Sequence, residues 1–233
     1  TMCYPSAASP TQGIFVQRRL AAIAQLTPLE VIAPQPWFPG WTGSQSPTGV
    51  STDEVPPTRR PRMFYLPGLL KSLDSRFYAR ALESCIANER ANKRVRLIDA
   101  HFEYPDGVGA WRVARRHGIP FVCTLRGKLV SQSRHWLRRR QIRKMLLDAD
   151  AIISVSKSLA DLAEVVAGRK LAIDIIPNGI DADTYCRRTD AAAARKELGW
   201  PDQVRYVVSV GHLQELKGFH RLIAVWPEVR RRV

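Results

Sequence analysis

Pro120-Phe-Val-Cys-Thr-Leu125 and Ala151-Ile-Ile-Ser-Val155 are nearly unbroken apolar runs, and Arg134-His-Trp-Leu-Arg-Arg-Arg-Gln-Ile-Arg-Lys-Met-Leu-Leu147 lies between them. Short apolar runs of this kind are what parallel strands covered on both faces look like. The intervening stretch places Ile142, Met145 and Leu146 on one side of a helix and surrounds them with cations. Strand, helix and strand in that order predict an α/β unit with a parallel sheet.

The alternation extends in both directions. Further strands are expected at Leu29–Ala33, Val95–Ala100, Leu171–Ile176 and Val204–Val210. Helices are expected at Ile14–Leu26, Ser75–Ala91, Gly107–His117, Leu159–Ala167 and Ala191–Leu198, with another opening near Phe219. Val16, Leu20 and Ile23 share a helix face. Ser158 with Asp161 reads as a capping box, and Gly199 as the stop after Leu198. The whole predicts a doubly wound α/β chain. Half of the sixteen prolines fall between Pro34 and Pro67, a segment without periodicity that reads as a long loop, either functional or disordered. A helix at Ile14 comes before any complete strand, so Thr1–Tyr4 reads as the tail of a first strand. Val204–Val210 reads as the first strand of a new unit that stops at Val233. Truncation at both ends is therefore expected.

Of 233 residues, 45% are hydrophobic, enough for a sizeable core. Lys and Arg outnumber Asp and Glu by 36 to 21, a formal charge of +15. Such a surplus favours anionic partners without choosing among nucleic acid, acidic lipid and phosphorylated small molecules. Neither a nucleic-acid module nor interleaved aromatic and basic residues stands out, so nucleic acid ranks last. Cys3, Cys85, Cys123 and Cys186 are scattered, with no metal-ligand spacing, and read as thiols in a reducing compartment. There is no apolar stretch long enough for a membrane span and no signal-peptide pattern. A cytoplasmic protein is expected, with the basic run Arg134 to Lys144 as a candidate contact with the anionic inner face of a membrane. A packed helix with a solvated cationic face is the preferred reading of that run.

Four loops could carry chemistry. Gly13 stands directly before a helix, where free backbone N–H groups attract anions, although an ordinary turn and cap has the same appearance. Leu125-Arg126-Gly127-Lys128 follows a strand, and ligands bind beyond the carboxyl ends of strands in open α/β sheets. Asp99-Ala100-His101 ends another strand, with His101 either a proton-handling group or a structural histidine. Glu103 and Asp106 could form a carboxylate pair. Gly211-His212-Leu-Gln-Glu215-Leu-Lys217-Gly218 places Lys217 beside a helix start, an arrangement that suits a diphosphate. The spacing is not that of a Walker loop, and no strand is followed by GxGxxG, which disfavours a NAD dehydrogenase.

Asp150-Ala-Ile-Ile-Ser-Val-Ser156 leading to Ile176-Pro-Asn-Gly-Ile-Asp181 resembles the family 4 glycosyltransferases, in which "aD.ii.vS" leads to "iPNGvD". Tyr4-Pro5 through Gly13-Ile-Phe-Val16, Ile98-Asp-Ala-His101 with Pro105-Asp-Gly107, and Gly118-Ile-Pro120 through Thr124-Leu-Arg-Gly127 resemble further motifs of that family. So do Arg195-Lys-Glu-Leu-Gly199 and Val210-Gly211 with Lys217-Gly218, so the resemblance covers nearly the whole chain. It implies the GT-B architecture: one nearly complete Rossmann-like N-terminal lobe (residues 1–185, acceptor side) and a linker with the first strand and helix of a second, donor-binding lobe (186–233). It implies transfer of a sugar from a nucleotide-diphosphate donor to a glycan or lipid-linked acceptor in cell-surface or exopolysaccharide assembly, with retention and without metal or other cofactor. His101 and Arg126 would be catalytic; Gly13, Gly127, Gly211, His212, Lys217 and Gly218 would hold the donor. The sequence departs from the family at His212, where arginine is usual, and at Leu129, where an acidic residue is usual. The Glu-x7-Glu region of the family lies beyond Val233, so little or no transfer is expected of these residues alone. The alternatives are another GT-B enzyme such as a nucleotide-sugar epimerase, or a non-catalytic basic nucleotide- or nucleic-acid-binding module.

Overall fold

The computed structural model describes residues 1–40, 50–51, 54–91, 95–186 and 189–232. α1 (Ile14–Ala24) precedes five short strands: β1 (Val31–Ile32), β2 (Gln35–Trp37), β3 (Val50–Ser51), β4 (Thr58–Arg59) and β5 (Arg62–Phe64). After α2 (Asp74–Ala91) come β6 (Ile98–His101), α3 (Val108–His117), β7 (Phe121–Leu125), α4 (Leu129–Gln132), α5 (Trp136–Asp148), β8 (Ala151–Ser154), α6 (Lys157–Ala167) and β9 (Ile173–Ile175). α7 (Ala191–Glu197) and α8 (Phe219–Arg232) follow. The chain divides into two compact units, Thr1–Gly179 and Ile180–Val233.

The first unit is a Rossmann-like lobe. Its main sheet has four strands in the order β6-β7-β8-β9, all parallel. Each is joined to the next through a helix, and such crossovers are right-handed, so α3, α5 and α6 lie on one face. Phe121, Cys123 and Leu125 point into that face and are fully buried with Val113, Ile142 and Met145. The alternate residues of the strands face the other way. There Phe102 packs in a second cluster with Tyr4, Val16, Leu20, Val31 and Ala33. The two faces of one sheet thus serve different purposes: one is a dry helix-covered core, the other carries Asp99, His101 and Thr124.

Four sequence-based expectations need correction. Val204–Val210 forms no strand. A parallel strand exists through its neighbours' N–H and C=O groups, and Ile180–Val233 contains no strand among its described residues. Val207, Val208 and Val210 stay exposed there. Second, the Pro34–Pro67 segment is not a plain loop. β2 pairs with β5 in parallel, with Pro36 opposite Met63, and β1 pairs with β4. Strands of two or three residues, one with proline in the middle, show no periodicity. Residues 41–49 and 52–53 of that segment lie outside the described residues. Third, α6 is capped by Ser156, whose Oγ accepts the Leu159 N–H at 3.3 Å, and not by Ser158. The helix starts earlier because Ser156 is extended and Lys157 is already helical, pairing with Asp161 across one turn. Fourth, Thr1–Tyr4 runs beside β1 without strand pairing; the Thr1 ammonium donates to the Ile32 carbonyl at 2.8 Å.

α2 and α3 approach closely at Gly109. A Cβ added there would lie 2.6 Å from Tyr78 Cδ1 and 2.9 Å from the Ser75 carbonyl oxygen. Alanine favours a helix over glycine by roughly 1 kcal/mol, but overpacking costs about 1–3 kcal/mol. Gly109→Ala is therefore expected to lower the urea midpoint, by a net ~1–2 kcal/mol of stability. An unchanged or raised midpoint would show that the two helices are not in register at this residue.

Candidate functional site

β6 and β7 end side by side, His101 opposite Thr124, and the segments leaving them turn over the same edge. After β6 the chain bends at Phe102, a non-glycine residue at φ +77°, held there by burial. Such strained backbone persists only where the surroundings enforce it. The bend drives Glu103 beneath the segment that follows β7. Its side chain is fully buried, and Oε1 accepts the backbone N–H of Arg126 at 3.0 Å. Burial pushes the Glu103 carboxyl pKa up, while the amides of Glu103, Arg126 and Gly127 pull it down. The expected carboxylate pair has a different use: Asp106 is also buried and accepts the Met2 N–H at 2.5 Å. Both carboxylates fix backbone.

Arg126, so held, donates from Nε to Nδ1 of His101 at 3.0 Å and from an Nη to Oδ1 of Asn178 at 2.7 Å. Its guanidinium also lies 5.3 Å from the centre of the Phe15 ring. No carboxylate forms an ion pair with it among the described residues, and its second Nη is buried without a partner. Burial, and next the repulsion of Arg19 on α1, lower its pKa to about 10, so it remains a cation at neutral pH. The site thus presents a fixed positive charge without a direct ion pair among the described residues.

His101 is 1% exposed. Because Nδ1 accepts from Arg126, the neutral ring carries its proton on Nε2, which faces Asp99 Oδ2 at 3.5 Å. Burial, and then the adjacent Arg126, drive the pKa of the ring down to about 2. In this arrangement His101 orients Arg126 and does not exchange protons near pH 7. Asp99 sits between the cations: burial raises its pKa and Arg19 draws it back.

The other residues singled out from sequence fall in two places. In the first unit, Gly13 adopts φ +73° as the residue before α1, and a Cβ there would lie 2.2 Å from the Cys3 carbonyl oxygen. Gly127 adopts φ +102° with open space around it. The structure brings His101, Arg126 and Gly127 to one edge. In the second unit, Gly211 and His212 are exposed, and Lys217 closes a short turn whose carbonyls accept from its own N–H and that of Gly218. Gly218, at φ +74°, directly precedes α8, so exposed Lys217 does stand beside a helix start. Leu129, fully buried, begins α4. Among the described residues no group of three His, Cys, Asp or Glu could hold a metal ion. Sequence reasoning missed Arg19, Glu103 as the support of Arg126, and Asn178. Only Asn178 had a signal, its place in Ile176-Pro-Asn-Gly179.

The state of His101 has a pH consequence. A folded pKa below the free imidazole value of 6.5 means the unfolded chain binds the extra proton first as pH falls. This contribution to stability is complete above that value and is lost progressively toward the folded one. The His101 ring carbons are expected to show no NMR titration between pH 8 and 4, and His101→Gln to flatten the stability profile across that window. A titration midpoint near 6.5 would contradict the buried neutral ring.

Residues 44–184 match the family model described as Glycosyltransferase Family 4. Among curated relatives, the teichuronic acid biosynthesis glycosyltransferase TuaC of Bacillus subtilis is 27% identical over 236 residues, covering 95% of this chain and 59% of the relative. D-inositol 3-phosphate glycosyltransferase of Segniliparus rotundus is 29% identical, covering 66% and 36%. A GDP-mannose-dependent alpha-(1-6)-phosphatidylinositol monomannoside mannosyltransferase of Mycolicibacterium smegmatis is 31% identical, covering 52% and 32%. The chain therefore spans from 32% to 59% of the length of these relatives. Among solved structures, Anabaena Alr3699/HepE in complex with UDP-glucose has a TM-score of 0.41 at 17% identity, covering 73% of this chain and 50% of that one. The matched stretch takes in more than half of the chain and includes His101, Arg126 and Asn178, and the chain belongs to Glycosyltransferase Family 4, a GT-B family.

Proposed function

We propose that the first unit is the acceptor-side lobe of an enzyme that transfers a sugar from a nucleoside-diphosphate donor to a glycan or lipid-linked acceptor. One observation carries the reading: Arg126, pinned at the carboxyl edge of the sheet by Glu103, His101 and Asn178, with its charge unpaired. A preorganised cation at the sheet edge stabilises charge that develops on a leaving diphosphate. His101 is its positioning residue. In the second unit, Lys217 and the start of α8 suit the donor diphosphate, with exposed Gly211 and His212 and with Gly218 beside them; in the first unit, exposed Gly127 leaves backbone accessible, and Gly13, although packed against Cys3, stands directly before α1. The reaction retains the anomeric configuration and uses no metal. The relatives' names, which are glycosyltransferases, support transfer over epimerisation. Because the Glu-x7-Glu region of the family is not among the 233 residues, these residues alone bind substrates without appreciable turnover.

The test has two parts. GDP-mannose and UDP-glucose are titrated into the chain, and at least one is expected to bind saturably, with Lys217→Ala loosening it roughly tenfold. In an enzyme carrying this lobe, Arg126→Ala is expected to lower kcat by about 10²-fold or more. Absence of binding by either donor, or full turnover in Arg126→Ala, would falsify the reading.

A peripheral membrane location goes with this activity. Val130, Trp136 and Leu137 are exposed at the junction of α4 and α5, at 53%, 69% and 42%, among Arg134, Arg139, Arg140 and Lys144. Apolar side chains ringed by cations suit an anionic bilayer surface, at ~1 kcal/mol per basic residue. No helix among the described residues is long and apolar enough to cross a membrane. Sedimentation with acidic vesicles is expected at low salt, and Trp136→Ala is expected to reduce it. A chain that stays in the supernatant with such vesicles has no such surface.

A further inference from the structure

The outer face of the first unit carries a cavity that the transferase reading does not use. It lies between α2 and α3, has a volume of about 1040 Å³, and is lined by Arg76, Phe77, Arg80, Trp111, Arg112 and Arg116, among others. Its far end is set by Arg115, which pairs with Asp148 and Asp150. Asp150 accepts the N–H of Phe121, the first residue of β7. The groove therefore runs toward the amino ends of the strands, away from His101 and Arg126.

The charges in it are unevenly matched. Glu83 takes up Arg116 and His117, and the two aspartates take up Arg115. Arg76 and Arg80, one helical turn apart on α2, are exposed and make no ion pair among the described residues. Arg112 faces them from α3; one of its Nη donates to Gln141 at 3.2 Å, but its Nε is buried with no partner. Burial, and then the nearness of Arg76, lower the Arg112 pKa. Three guanidinium groups thus line one groove, and none of the three forms an ion pair among the described residues; the groove's carboxylate, Glu83, is taken up by Arg116 and His117.

Between them stand Trp111 and Phe77, both partly exposed. The indole N–H is occupied by Asp148 Oδ2 at 2.6 Å, which fixes the ring and leaves its surface as the contact it offers. A floor of aromatic rings under arginine forks matches a chain of alternating apolar sugar faces and anionic oxygens, because the fork pairs bidentately with carboxylate or phosphate. The volume is at the upper end of ordinary ligand pockets, too large for a lone inorganic anion and suited to several linked units. A bilayer would need side chains that protrude, and here the surface is concave.

We infer that the α2/α3 groove binds an anionic glycan, with its carboxylate or phosphate groups on Arg76, Arg80 and Arg112 and its sugar rings against Trp111 and Phe77. The site lies apart from the proposed transfer site and would tether a polymer during its extension.

The full chain is titrated by calorimetry with polyglucuronate oligosaccharides, with a phosphate-bearing oligosaccharide, with neutral dextran oligomers and with vesicles of acidic phospholipid. Saturable binding of either acidic glycan supports the inference, and the tighter of the two identifies the anion. Arg76→Gln with Arg80→Gln is expected to weaken it about tenfold or more, as loss of charged hydrogen bonds would. Arg18→Gln, on exposed α1 surface, is expected to leave binding unchanged, and circular dichroism checks that each variant is folded. Equal binding of dextran, binding of vesicles that depends on Arg76 and Arg80, or no binding of either acidic glycan overturns it. Donor binding is measured on the same variants, so a chain that takes up nucleotide sugar yet ignores acidic glycans loses only this groove.

Discussion

A buried carboxylate holds the candidate site together. Glu103 has no solvent: burial raises its pKa, the amides of Glu103, Arg126 and Gly127 draw it back, and its Oε1 accepts the Arg126 N–H at 3.0 Å. This contact joins the segment after β6 to the segment after β7 across 23 residues of chain. With the Arg126 backbone fixed from below, its side chain needs only His101 and Asn178 to be directed along the edge. The strained Phe102 belongs to the same device, since it turns Glu103 inward immediately after the strand ends.

The consequence is a cation with no direct ion pair among the described residues. Many arginines of this protein are neutralised locally: Arg60 by Glu54 at 2.8 Å, Arg59 by Glu30, and Arg115 by Asp148. Of these, Arg59 and Arg115 are partly exposed, where such pairs add little to stability, whereas Arg60 is buried. Arg126 is different. The groups in direct contact with it are an imidazole, an amide oxygen and an aromatic ring, which orient a guanidinium without forming an ion pair, and Asp99 attracts it only through space. The formal +15 of the chain is therefore less informative than where the unmatched charges sit: the sheet edge, the α2/α3 groove and the exposed side of α5.

The main sheet was legible because its evidence is local. β7 to β9 lie within the stretches expected to form them, and β6 starts inside its expected stretch and runs one residue further, to His101. The predicted helices agree with α1 to α3 and α5 to α8 to within a few residues. Val204–Val210 looks the same in sequence yet forms no strand, because a strand depends on partners that apolarity does not reveal. The converse holds for β2 and β5, whose pairing is real while their three residues give no pattern. In the site, Arg126 and His101 were visible from their positions at strand ends. What His101 does was not visible: burial and the adjacent guanidinium set it, and both are tertiary facts. The same is true of Glu103, which in sequence is merely one acid near another.

The direct measurement of the central contact is backbone amide hydrogen exchange at Arg126, compared between the unaltered chain and Glu103→Ala. Arg126 lies just past the last residue of β7, so its amide is protected chiefly by the carboxylate beneath it. The account predicts slow exchange at Arg126 in the unaltered chain. In the variant it predicts exchange near the free-peptide rate, while the ladder amides of β7 remain slow. An Arg126 amide that exchanges freely in the unaltered chain, or is equally protected without Glu103, would contradict it.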